Sequence, residues 1–190
     1  RGHDVGVPRE DDEGLRRPAP QPEVGHCPAP EDLGHEAEGG EAPGEQEDQQ
    51  GEPFVGQAGK LLDNMLRSIG LTRSEGPPER QVFIANTLKC RPPRNRNPDP
   101  AETARCAPYL VRQIELVRPR VLLAMGRFAA QSLLASDEPI GKLRGRVHRW
   151  RDIPVVVTYH PAYLLRTLAD KARAWDDLCL AAAVLEGEQR

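Results

Sequence analysis

Three short apolar runs constrain this chain more than any other feature: VFIAN (82–86), VLLAMG (121–126) and VVVTYH (155–160). None alternates with polar residues, and each ends in a polar or glycine stop, at Asn86, Gly126 and His160. A strand with one wet face alternates. A strand covered on both faces does not, and such runs are typical of a parallel sheet. Helical patterns lie between and around the runs. GQAGKLLDNMLRSIG puts Leu61, Leu62, Met65, Leu66 and Ile69 on one face, with Gly70 as the stop. DPAETARCAPYLVRQIELV opens with Asp99 as N-cap and Pro100 in the first turn, and Pro108 predicts a break or kink. RFAAQSLLAS follows the second run, and KARAWDDLCLAAAVLE closes the chain with Trp175, Leu178, Cys179, Ala182 and Leu185 on one stripe. Strands alternating with helices predict an α/β/α sandwich around a short parallel sheet, with ligands bound beyond the carboxyl ends of the strands. Asn86 and His160 stand at two such ends.

The first part of the chain cannot join that sheet. Residues 1–53 hold no Phe, Trp or Tyr, and Val5, Val7, Leu15, Val24 and Leu33 are the only large aliphatics in 1–39. Too little apolar surface is available there to offset chain entropy, which predicts disorder for 1–39 and a globular domain over 40–188. Charge divides in the same way. Residues 1–50 carry 14 Asp and Glu against 4 Lys and Arg, and residues 51–190 carry 15 against 22. A basic folded part suits a polyanionic partner. No apolar run reaches membrane-spanning length and the N-terminus lacks a signal peptide's apolar region, so a cytoplasmic, reducing setting is expected. Four cysteines there point to a metal site or to the core rather than to disulfides.

Several segments carry candidate chemistry, each with a structural alternative. KCRPPRNRNPDPAETARC sets Cys90 after a predicted strand and Cys106 early in a predicted helix. Two thiolates so placed hold half an iron–sulfur or zinc site, or are ordinary cysteines. Arg91, Arg94 and Arg96 between them face phosphates or solvent. His160, stiffened by Pro161, either donates a hydrogen bond to a developing anion or simply ends a strand. The Asn86 carboxamide can pair with two adjacent atoms of a base edge, or cap a turn. Phe54 follows a Gly/Pro-rich loop, as a stacking platform or as an anchor for the next helix. KLRGRVHRWR (142–151) reads as a basic hairpin or loop facing phosphate, or as a solvated basic face. GQAGKL is not a P-loop, because Leu61 stands where Ser or Thr is needed.

Together GEAPGEQEDQQGEPFVGQAGKLLDNML, IANTLKCRPPRNRNPDPAETARC and TYHPAYLLR resemble the family-4 iron–sulfur uracil-DNA glycosylases, in order and near the family's spacing, from about Gly40 to about Leu185. The resemblance implies hydrolysis of the N-glycosidic bond of deoxyuridine in DNA by a monomer. It implies that Phe54 stacks on the extruded uracil, Asn86 pairs with O4 and N3–H, and His160 bonds O2. Backbone around Ala42 would touch the base, Glu41 would help place water or sugar, and Glu47 would crowd out a thymine methyl. It also implies a [4Fe–4S] cluster on four cysteines, of which Cys90 and Cys106 match; Cys27 is a third candidate. In the family an aliphatic strand and a C-x2-C pair precede the GE[AG]PG loop. Here that strand is missing, and 1–39 has the composition of a GC-rich gene read out of frame. Two other readings stay open: a non-catalytic nucleic-acid-binding remnant, and a glycosylase for another deaminated base.

Overall fold

A computed structural model describes residues 53–90, 92 and 96–187 of the chain. The predictions for 1–39, for Cys27, Glu41, Ala42, Glu47, Arg91 and Arg94, and for a strand ahead of Gly40 lie outside those residues. The first helix, α1 (Gln57–Ser68), buries Leu62, Met65 and Leu66. Its end is the predicted one. Gly70 adopts φ 76°, and the Gly70 and Leu71 N–H groups close on the carbonyls of Arg67 and Leu66. That paired closure satisfies carbonyls the helix itself leaves open.

Helix α2 (Pro100–Val117) begins with a complete capping box. The Asp99 side chain accepts from Ala101 N at 2.7 Å, and Glu102 Oε2 accepts from Asp99 N at 3.0 Å. Of the break or kink predicted at Pro108, the break does not occur: the helix runs through it for 18 residues. Proline removes one backbone donor. Here that loss is outweighed by the capped start and by the burial of Leu110 and Ile114 beyond it.

Strand β1 (Leu122–Met125) leads through Gly126, φ 95°, into α3 (Arg127–Leu134). After the short α4 (Ile140–Leu143), β2 (Val147–Trp150) and β3 (Ile153–Thr158) form a hairpin turning at Arg151 and Asp152. Helix α5 (Pro161–Arg166) and the closing α6 (Lys171–Glu186) follow. The sheet order is β1-β3-β2. β3 lies parallel to β1, with Leu122 opposite Val155, and antiparallel to β2, with Trp150 opposite Ile153. The sheet is thus mixed rather than purely parallel, because the end of the basic segment, 147–150, pairs antiparallel with β3 as a hairpin.

Central β3 explains its own sequence: Val155, Val156, Val157 and Thr158 are all fully buried. On one face Val155, Val157 and Ala124 pack with Ala130 of α3 and Leu143 of α4. On the other, Leu123 and Tyr159 pack with Met65 of α1, Leu164 of α5, and Ala174 and Leu178 of α6. Helices on both faces make the predicted sandwich.

Two further expectations need correcting. VFIAN is not a strand. Among the described residues its ladder bonds stop at the bridge between Thr72 and Gln81, where Val82 N–H meets Thr72 O at 2.8 Å. Val82, Ile84 and Asn86 line a cavity of about 370 Å³ together with Leu122 and Ala124 of β1. Among the described residues β1 pairs only with β3, and the run joins neither. The stripe predicted for the last helix is also rotated. Ala174, Asp177, Leu178 and Ala181 are buried, while Trp175 and Cys179 are exposed. The reason is Asp177, whose carboxylate is fully buried against the Arg144 guanidinium at 3.0 Å and accepts from Gly145 N at 3.1 Å. Among the described residues, no helix is long and apolar enough to cross a membrane.

Candidate functional site

β3 ends at Thr158, and two residues later His160 caps α5. Pro161 at the first helical position favours the extended backbone seen at His160, φ −69° and ψ 139°. The cap bond fixes the chemistry of the ring. Ala162 N–H donates to His160 Nδ1 at 3.1 Å. An acceptor nitrogen carries no proton, so in the neutral ring the proton sits on Nε2. Burial, and secondarily the positive Arg166, push the imidazole pKa down to about 4. At neutral pH His160 is therefore an uncharged donor held in one tautomer. Its Nε2 is buried and has no hydrogen-bond partner among the described residues. A buried donor without a partner costs about 1–3 kcal/mol, which an incoming acceptor would recover.

Phe54 lies against that ring. The two ring centroids are 5.1 Å apart and the planes differ by 22°. An oxygen accepting from Nε2 lies near the imidazole plane. A flat heterocycle bearing that oxygen in its own plane can therefore run nearly parallel to the phenyl face. Donor and stacking surface together define the orientation of a planar ligand.

Asn86 is tied down through its backbone. Lys89 Nζ donates to the Asn86 carbonyl at 2.7 Å and to Gln113 Oε1 of α2 at 2.5 Å, bridging the loop to the helix. Burial lowers the Lys89 pKa, with Cys106 acting in the opposite direction. Phe54 and Asn86 line the same cavity. Phe54 thus links the other two candidates, by its stack on His160 and by the cavity it lines with Asn86, a lining that does not include His160. Sequence reasoning missed the tether of Lys89 and Gln113; 24 residues separate them, and no local pattern marks the pair.

Cys90 and Cys106 are both half-buried, and Cys106 acts electrostatically on Lys89, the neighbour of Cys90. Cys179 is exposed on α6. Among the described residues no three His, Cys, Asp or Glu side chains gather as a metal site. A [4Fe–4S] cluster takes four thiolates. Of the three described cysteines, Cys90 and Cys106 are the two the resemblance assigns to it, an incomplete fit.

Among the described residues, the arginines proposed for phosphate are largely engaged within the chain. Arg96 forks onto Glu102 at 2.6 and 2.9 Å, Arg144 holds Asp177, and Arg151 meets Glu115 at 2.9 Å. These pairs brace α2, α6 and the hairpin.

A profile of the uracil DNA glycosylase superfamily matches residues 39–179. The chain is similar to the type-4 uracil-DNA glycosylase of Archaeoglobus fulgidus, 49% identical over 134 residues, covering 66% of this chain and 64% of that protein. It is 47% identical over 135 residues to the one from Saccharolobus solfataricus, covering 66% and 60%. With the one from Pyrobaculum aerophilum it shares 39% over 149 residues, covering 74% and 73%. The chain thus spans under two thirds of the first two relatives' length.

Proposed function

The chain belongs to the uracil DNA glycosylase superfamily, and from that premise we propose that it hydrolyses the N-glycosidic bond of deoxyuridine in DNA, acting as a monomer. The observation carrying this reading is the buried Nε2–H of a neutral His160, without a hydrogen-bond partner among the described residues, beside the Phe54 ring.

The target bond is hidden in the duplex, so the nucleotide must be extruded, at a few kcal/mol. Its base then stacks on Phe54. The Asn86 side chain takes the O4 and N3–H edge, and His160 Nε2–H takes O2. When the bond between C1′ and N1 breaks, its electron pair stays on the base and spreads to O2 and O4. A donor already aimed at O2 binds that anion more tightly than the neutral base, by about 3 kcal/mol on the scale of oxyanion holes. Neutral His160 does this without the cost of holding a buried cation. Water adds to C1′ as the sugar's positive charge develops, and its proton leaves to solvent. Cytosine would present a donor where uracil has O4, leaving an Asn86 group unpaired at about 1–3 kcal/mol. Glu41, Ala42 and Glu47 keep the roles that the family resemblance assigns. Cys90 and Cys106 would supply two thiolates to a [4Fe–4S] cluster; no step above passes through it.

The test is a uracil-containing duplex, followed by alkaline cleavage at the abasic site. Strand scission is expected. Binding without scission would instead favour a non-catalytic remnant, and release of hypoxanthine or xanthine in preference to uracil would reassign the substrate. Iron content and visible absorbance of the purified protein report on the cluster.

A further inference from the structure

Phe54 is one of four non-glycine residues with positive φ among the described residues, at 59°. The other three have local explanations: Arg118 and Ala135 end helices, and Arg151 makes the β2–β3 turn. Phe54 occupies neither kind of position, and a bulky side chain is disfavoured in that region. Strain of this kind persists only where surrounding structure imposes it.

The imposing group is a single guanidinium. Arg73 Nη1 donates to the Pro53 carbonyl at 2.7 Å, and Nη2 to the Phe54 carbonyl at 2.9 Å. Asp63 of α1 locks the same guanidinium, taking Nε at 2.6 Å and Nη2 at 3.2 Å. One planar fork thus joins a helix carboxylate to the two peptide carbonyls flanking the Phe54 Cα. Gly59 completes the clamp from below. A Cβ there would lie 1.8 Å from the Phe54 carbonyl oxygen, so α1 admits this backbone only because it has no side chain at that position. Lysine could reach one carbonyl, but it lacks the planar fork.

We propose that Arg73, fixed by Asp63 and seated over Gly59, is the positioning residue that holds the Phe54 ring against His160, so that the base platform exists before substrate arrives. The inference rests on the reading of Phe54 as platform. Its physical part concerns only the free protein, and is tested there.

Histidine imidazole protons are observed by NMR, with Phe54→Ala assigning the His160 signals and defining the loss of ring-current shielding. Arg73→Met should move those signals at least halfway towards the Phe54→Ala position, and Arg73→Lys should not restore them. Gly59→Ala should act alike without touching a charge. It also favours the helix intrinsically, so it decides the matter if Arg73→Met fails to fold. On a uracil-containing duplex, both variants should lower kcat about ten- to a hundredfold, with KM little changed. Wild-type shielding in folded Gly59→Ala or Arg73→Met overturns the inference even if the wild type releases uracil. Loss of shielding in variants of a protein that releases no uracil leaves the clamp standing and removes the glycosylase reading.

Discussion

Acidification should weaken the fold through His160, in a window set by its burial. The unfolded chain takes up a proton on this imidazole near its ordinary value of 6.5, whereas the folded protein does so only at about 4. Two features oppose the folded-state proton: burial, with His160 only 8% exposed, and the nearby Arg166. Protonation would also break the cap, because Nδ1 could no longer accept from Ala162 N. Between those two values the unfolded state binds more protons, so stability declines as pH falls from about 6.5 and the decline levels off below about 4. A separation of that size corresponds to about 3 kcal/mol at about 1.4 kcal/mol per pH unit. Urea denaturation of wild type and His160→Gln across that range isolates the effect, since carboxylates such as Glu102 and Glu115 titrate in both proteins. The stability of wild type relative to the variant should fall by about 3 kcal/mol between about pH 7.5 and pH 4. A difference flat with pH, or an imidazole titrating by NMR at its ordinary value, would refute the reasoning.

Three further outcomes are expected. Asn86→Ala and His160→Ala should each reduce uracil release about tenfold or more with duplex affinity little changed, since their bonds strengthen as charge develops; single-turnover assays and binding titrations check the split. Asp177→Ala should destabilise the fold by about 3 kcal/mol, because it leaves the Arg144 guanidinium, its side chain 15% exposed, without its carboxylate; a loss under about 1 kcal/mol in denaturant would contradict the buried pair. Glu102→Ala removes both the capping box and the Arg96 anchor of α2; a cost of about 1–2 kcal/mol should appear as a lower melting temperature.

Much of the architecture was legible because the relevant signals are local. VLLAMG and VVVTYH became β1 and β3, since unalternated aliphatics of that length imply burial on two faces and Gly126 and His160 mark the stops. Asp99, Pro100 and Gly70 marked helix ends through backbone chemistry confined to a few neighbouring residues. The same logic misled at VFIAN, where Phe83 is 58% exposed and no strand pairs with the run among the described residues; an apolar pattern does not say whether a covering face or a partner edge lies within reach. It misled again on α6, where hydrophobicity favoured a stripe through Trp175 and Cys179, yet a charged Asp177 took the buried position because Arg144, 33 residues away, meets it there. At the candidate site, the identities of Phe54, Asn86 and His160 came from the sequence. The His160 tautomer, the stack on Phe54 and the Lys89 tether came only from the fold.

What the chain's sequence determined by itself was the strand segments β1 and β3, where helices start and stop, and which side chains have the chemistry for a flat, hydrogen-bonding ligand. Tertiary structure alone decided which groups meet: Arg73 with the Phe54 carbonyl, Asp177 with Arg144, and the buried His160 imidazole with an aromatic face. The division is physical. Burial preference and backbone conformation depend on a residue and its near neighbours, whereas hydrogen-bond and stacking partners depend on positions in space, which distant parts of the chain share only after folding.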